Sequence, residues 1–148
     1  MKNKIHPPVI AIFLILLMYL STFWILPFSF TGQKIFAILI LTEAVLIIYY
    51  SIKKFKSFNT TINPFRVEES SYLIQSGIYN FTRNPMYLGL SSIQLGCSIY
   101  LGAWLGLFII PMFILYITKF QIEVEERALE KKFGIEYIDY KNRVSRWI

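Results

Sequence analysis

Residues able to do chemistry are few in this chain, and they gather at two places. The first is Gly77-Ile78-Tyr79-Asn80-Phe81-Thr82-Arg83-Asn84-Pro85-Met86-Tyr87-Leu88-Gly89, where a polar loop meets a strongly apolar segment. Asn84-Pro85 predicts a helix start. Asparagine is a strong N-cap, the residue before a proline favours extended backbone, and proline suits the first helical position. Arg83 then sets a fixed positive charge at the helix mouth. The same residues would also serve an ordinary capped membrane helix, with Arg83 and the tyrosines as interfacial anchors. The second place is Glu125-Glu126. Ile122, Leu129 and Phe133 recur there at helical spacing, and at about 100° per residue Glu126 falls about 40° and Glu125 about 60° from Ile122, on opposite sides. A solvated face is one reading, supported by the Glu123 to Arg127 pair at i,i+4. The other is that carboxylates beside an apolar stripe need a cation to meet them.

Other chemistries find no footing. Cys97 is the single cysteine and lies inside an apolar run, where a small buried thiol is expected and not a nucleophilic thiolate. His6 is the single histidine and precedes two prolines. No His/Cys metal cluster, Ser-His-Asp set, P-loop or G-x-G-x-x-G can be assembled, which disfavours a metal or nucleophilic hydrolase. Glu43 is the one acidic residue within the apolar runs, a placement that coupled transporters use.

The elements that must position these residues are membrane helices. Hydrophobic residues make up 55% of the 148, and the mean hydropathy of +0.51 is too high for an ordinary soluble domain. The pattern predicts an all-α integral membrane protein of about four transmembrane helices, near 9–26, 34–52, 85–101 and 103–120, with amphipathic helices after them. The third apolar block holds two closely folded spans, its hairpin near Tyr100 to Trp104 made possible by Gly96, Gly102 and Gly106. The first run continues to Ile25 with no small-residue cleavage site after it, which fits a retained anchor better than a removed signal peptide.

Charge orients the spans. Lys2 and Lys4 precede the first, Lys53, Lys54 and Lys56 follow the second, and most remaining basic residues follow the fourth, while Pro27 to Gln33 carries none. Both termini are therefore expected in the cytoplasm, in a bacterial inner membrane. The net charge of +6 is mostly juxtamembrane and suits anionic lipid better than nucleic acid. Two parts lie outside the bilayer: a cytoplasmic loop over 53–84 and the C-terminal region 121–148. The loop holds the turn-forming cluster Asn59-Thr60-Thr61-Ile62-Asn63-Pro64 and the apolar run Ser71-Tyr72-Leu73-Ile74. Gly134 is expected to end the helix that carries the two carboxylates. Beyond it Tyr137, Tyr140, Val144 and Trp147 make a further helical stripe, suited equally to an anionic leaflet or to packing against the loop.

These motifs together resemble the bacterial branch of the isoprenylcysteine carboxyl methyltransferase family, which is related to phospholipid methyltransferases. The resemblance is carried by Asn59 to Pro64, Gly77-Ile78-Tyr79, Arg83-Asn84-Pro85-Met86-Tyr87-Leu88-Gly89, Glu125-Glu126-x-x-Leu129-x-x-x-Phe133-Gly134-x-x-Tyr137-x-x-Tyr140, and Val144-x-Arg146-Trp147. It runs in the family's order over roughly residues 59–148. It implies a membrane methyltransferase that binds S-adenosylmethionine without a Rossmann sheet, in a pocket at the cytoplasmic membrane edge. Carried over by motif, the cofactor residues are Ser71, Tyr72, Leu73, Ile74, Tyr79, Asn84, Pro85, Met86, Tyr87 and Glu125. A carboxylate such as Glu125 suits the cofactor's α-ammonium, and aromatic residues suit its adenine. Arg83 would orient an anionic acceptor or the cofactor carboxylate. Glu126 would assist as a base if the acceptor were an amine. No metal is needed, because sulfonium is already a good leaving group.

Two positions depart from eukaryotic members of that family. Asn84 stands where a histidine usually precedes the proline, which keeps the capping role. Gln121 stands where an arginine is associated with the prenylcysteine substrate, so the acceptor expected here is a different lipophilic molecule or lipid. An NADPH-dependent membrane reductase with a similarly built C-terminal region, or a small transporter using Glu43, are the alternatives.

Overall fold

The computed structural model describes residues 6–58 and 72–148, and every regular element among them is helical. In chain order these are α1 (Pro7–Ser21), α2 (Gln33–Ser57), a 3-10 turn (Gly77–Asn80), α3 (Pro85–Leu101), α4 (Gly106–Ile117), a π-helical stretch (Thr118–Ile122), α5 (Glu123–Phe133) and α6 (Ile135–Arg143). Ser71, the Asn59–Pro64 cluster, Lys2 and Lys4 lie outside the described residues. Among the described residues two helices are long and apolar enough to cross a bilayer, Gln33–Ser57 and the continuous run Gly106–Phe133. Only 17% of the most apolar window of α2 is buried, so α2 is not the core helix of a soluble domain.

The bounds differ from the sequence pattern for local reasons. α1 stops at Ser21 and not near 26, because the Ser21 and Thr22 hydroxyls turn back to the carbonyls of Met18 and Tyr19, each at 2.7 Å, and Pro27 follows. α2 runs on to Ser57, where Lys54 and Lys56 in its last turn complement the helix dipole. α3 starts at Pro85 as expected, and the Leu88 N–H donates to the Asn84 carbonyl at 3.0 Å in its first turn. Gly134 ends α5 with φ of 56°.

The chain divides into two compact units. The first comprises residues 1–46 and 89–115. Its core forms around Met18, Ala103 and Ile109, with Leu14, Leu17, Leu101 and Leu105 against them. The turn between α3 and α4 depends on Gly102, whose φ is 68° and whose missing side chain leaves room for the Phe28 backbone. The Phe28 N–H donates to the Gly102 carbonyl at 2.9 Å, and the Gln33 side-chain amide donates to the Ile99 carbonyl at 2.6 Å. Gly96 lets α3 approach α2 at Ala37 and Leu41, where a Cβ would collide with the Leu41 side chain.

The second unit comprises residues 47–88 and 116–148. It holds the end of α2, the segment leading to the first turn of α3, and everything from Tyr116 onward. Tyr137 and Tyr140 on α6 are both buried, and the Tyr140 hydroxyl donates to the Tyr79 carbonyl at 2.7 Å. Packing against the loop thus accounts for this tyrosine pair.

Candidate active site

Within the second unit, backbone geometry brings the Arg83-Asn84-Pro85 segment to the end of the chain. The Arg83 N–H donates to the Ser145 carbonyl at 3.0 Å. The Arg146 carbonyl accepts from the Thr82 hydroxyl at 3.2 Å and from the Asn84 side-chain amide at 2.9 Å. Thr82 also accepts from the Asn84 N–H at 3.2 Å. The Asn84 side chain is therefore used to tie the loop to residues 145–146, a role the sequence did not reveal. The Trp147 indole N–H donates to the Thr118 hydroxyl at 3.2 Å, which closes the same strap on the other side.

Two carboxylates, adjacent in sequence, belong to two different networks. Glu126 is buried, and both of its oxygens are engaged. Arg146 grips it with two parallel bonds, Nε to Oε1 at 3.0 Å and Nη2 to Oε2 at 2.6 Å. Arg83 lies 3.1 Å from Oε1 through Nη1, and the same nitrogen donates to the Tyr137 hydroxyl at 3.3 Å. Two guanidiniums meet one carboxylate, and the Arg83 and Glu126 side chains are each only 8% exposed. The hydrogen bonds to Glu126 hold the Arg146 guanidinium above its usual range. Burial pushes the Tyr137 hydroxyl up to about 12, the Glu126 charge adds to that, and Arg83 opposes it.

Glu125 is partly exposed and accepts from the Tyr87 hydroxyl at 2.6 Å and from the Gln121 side-chain amide. Tyr79 is buried within the electrostatic reach of Glu125, with its hydroxyl beside Ser51 of α2 and its ring edge-on to Phe55 at 5.7 Å. Burial holds the Tyr79 and Tyr140 hydroxyls well above the usual phenol range, so both stay neutral and able to donate. Two buried atoms of this unit, the Tyr79 hydroxyl and the Arg83 Nε, make no well-aligned hydrogen bond among the described residues. Buried polar groups are nearly always satisfied, so such atoms mark a place where a polar ligand fits.

The residues expected from the sequence fall as follows. Tyr79, Tyr87, Gln121 and Glu125 form one cluster, and Arg83 and Glu126 form the other. Ile74 and Pro85 are buried, and Leu73 and Met86 are half-buried. Tyr72 is exposed and tilted on Phe58 at 6.1 Å. Glu126, expected as a base for an amine acceptor, stands between two arginines as their counter-ion. Three participants were in the motifs without a role, namely Arg146, Tyr137 and Tyr140. Ser51 carried no signal in the sequence at all.

Comparison with known proteins gives the chain a family. The family model for phospholipid methyltransferase matches residues 33–136. An uncharacterized protein of Haemophilus influenzae is 52% identical over 66 residues, 43% of this chain and the whole of that protein. Protein-S-isoprenylcysteine O-methyltransferase of Saccharomyces cerevisiae is 39% identical over 80 residues, 52% of this chain and 32% of the yeast enzyme. The match thus spans about a third of the yeast protein's length. No solved structure matches.

Proposed function

The chain belongs to the phospholipid methyltransferase family, and on that premise we propose that it is an integral membrane methyltransferase using S-adenosylmethionine to methylate a lipophilic acceptor at the cytoplasmic membrane edge. The observation that carries this reading is the Glu125 carboxylate, oriented by Tyr87 and Gln121 next to the buried Tyr79. A partly exposed carboxylate held between neutral donors suits an ammonium group. The Tyr79 hydroxyl and Arg83 Nε, which make no well-aligned hydrogen bond among the described residues, fit the polar remainder of an amino-acid-bearing cofactor.

S-adenosylmethionine would supply a methyl group on a sulfonium that leaves readily. What the protein must add is alignment and exclusion of water. Glu125 would hold the ammonium, and Tyr79, Ile74 and Met86 would cover apolar surface. Arg83 would use its Nε to orient the acceptor or the cofactor carboxylate. Its own position is fixed by Glu126, Tyr137 and the Ser145 carbonyl. Glu126 has both oxygens engaged, and Tyr79 and Tyr140 are held neutral. Glu126 is thus committed to the two guanidiniums, the Tyr140 hydroxyl to the Tyr79 carbonyl, and the Tyr79 hydroxyl is left as a donor. An acceptor already deprotonated near neutral pH, such as a carboxylate, asks nothing further of them.

In the bilayer, α1, α2, α3 and the α4–α5 run make four crossings with both termini cytoplasmic. α1 and α3 have 15 and 17 residues, and at ~1.5 Å per residue they reach about 22 and 26 Å. Local thinning and flanking aromatic residues accommodate that shortfall. The deciding experiment is calorimetry on the purified protein with S-adenosylmethionine, S-adenosylhomocysteine and NADPH. Binding of the first two and not the third is expected. Binding of NADPH alone would replace the proposal with a reductase.

A further inference from the structure

Arg146 is one charge more than the buried cluster needs. Arg83 and Glu126 already balance, and their side chains are each only 8% exposed. Arg146, at 33%, brings a second guanidinium to the same carboxylate and leaves the group with a net positive charge. Excess charge beside buried groups is costly, so neutralising Glu126 does not account for Arg146. The geometry of the pair does. Arg146 meets Glu126 side-on, through Nε at 3.0 Å from Oε1 and Nη2 at 2.6 Å from Oε2. A planar carboxylate has one edge on which two parallel N–H bonds of a guanidinium fit. Arg146 occupies that edge. Arg83 is left with a single point, Nη1 at 3.1 Å from Oε1, and its Nε stays buried without a well-aligned hydrogen bond among the described residues.

We propose that Arg146 is a positioning residue: by taking the two-point edge of Glu126, it keeps the Nε of Arg83 free for the ligand. The inference rests on the role proposed above for Arg83. Without Arg146, Glu126 offers both oxygens to the one guanidinium that remains. Two parallel charge-assisted bonds are favoured over one, so Arg83 turns its own Nε to the carboxylate and withdraws it from the site. The backbone separates this function from a merely structural one. The Arg146 carbonyl holds Thr82 and Asn84, and the Ser145 carbonyl holds the Arg83 N–H, all through main-chain atoms of 145–146. The Trp147 indole is tied to Thr118. Truncating the Arg146 side chain leaves each of these bonds in place and removes only the fork.

The test is the magnetic resonance of the Arg83 Nε–H in full-length protein carrying isotope-labelled arginine, held in lipid nanodiscs. The chain has five arginines, few enough to resolve, and the signal lost in Arg83→Lys assigns it. In Arg146→Ala the signal should move downfield, the mark of a new bond to a carboxylate. Arg146→Gln keeps the side-chain bulk without the fork and should move it the same way, which keeps the test open if the alanine variant misfolds. An unmoved resonance in a folded variant would overturn the proposal. Methyl transfer to a membrane extract is the second arm, read with labelled S-adenosylmethionine below its KM so that either role of Arg83 counts. Arg146→Ala should lower it roughly ten- to a hundredfold. In an Arg83→Lys background, where the Arg83 fork is already gone, Arg146→Ala should change it by no more than about twofold. Equal losses in both backgrounds would mark an independent structural role and overturn the proposal. A parent without methyl transfer would remove the enzymatic reading, and the resonance would still decide whether Arg146 governs Arg83.

Discussion

Replacing Glu125 by glutamine isolates charge from shape at the centre of the proposed cofactor site. Glutamine keeps an oxygen where Oε1 accepts from the Tyr87 hydroxyl at 2.6 Å and from Gln121, so the local frame should persist. What disappears is the negative charge that would meet the cofactor ammonium. A hydrogen bond to a charged group contributes about 1.5–3 kcal/mol, and its loss should weaken cofactor affinity roughly ten- to a hundredfold. The Tyr87 bond also passes from charge-assisted to neutral, which costs folding stability about 1 kcal/mol. That small cost appears in the melting temperature and leaves the protein folded for measurement. Calorimetric titration with S-adenosylhomocysteine, parent against Glu125→Gln, reads the effect directly. An affinity within twofold of the parent would refute the assignment of Glu125 to the ammonium.

Three further outcomes follow. If Arg83 orients the acceptor, Arg83→Lys, which keeps the charge near Glu126 but loses the planar fork, should hold cofactor affinity within a few-fold while turnover falls by a factor on the order of a hundred, measured with labelled S-adenosylmethionine and a membrane extract; a matching loss of cofactor affinity would assign Arg83 to the cofactor carboxylate, and unchanged turnover would reduce it to an anchor. Cysteines at Ser29 and Asn59, in a Cys97→Ser background, should react from opposite sides of sealed vesicles, since basic residues cluster on one side of α2. Reaction of both from one side would remove the cytoplasmic placement of the site. Burial pushes the Tyr137 hydroxyl from 10.0 up to about 12, so the stability it contributes is complete below pH 10 and is lost as pH rises from there to about 12. The melting temperature of Tyr137→Phe should fall less across that window than the parent's, and parallel curves would count against a buried phenol.

Much of the fold was legible because it rests on local chemistry. Asn84-Pro85 marks the start of α3, Gly134 ends α5, and the glycines near 102 mark the turn between α3 and α4. The end of α1 was missed because it depends on side-chain hydroxyls at Ser21 and Thr22, which compete with the helix without leaving a periodic signal. In the site, the motif residues came together, but their partners did not follow from the motif. Arg146 was visible as part of a terminal signature, yet only three-dimensional contact shows that it grips Glu126 and that its carbonyl holds Asn84. Ser51 could not be found, because a lone serine in an apolar helix looks like any other.

A π-helical segment stands immediately before the helix of Glu125 and Glu126. Ile117, Gln121 and Ile122 are all buried, and buried Glu126 follows Ile122 by four residues. The π-helical stretch Thr118–Ile122 inserts the equivalent of one extra residue, which rotates everything after it by about 100°. After it, Glu126 faces the interior, where Arg83 and Arg146 meet it, and Glu125 is half-buried beside Tyr87 and the buried Gln121. A regular helical wheel carried through this segment places both carboxylates beside the apolar stripe and cannot tell them apart. Insertions of this kind concentrate at functional sites because they aim a side chain that a regular helix would point elsewhere. One carboxylate thus stands between two arginines and the next is half-buried beside Tyr87 and Gln121, the contrast on which the proposed ammonium site rests.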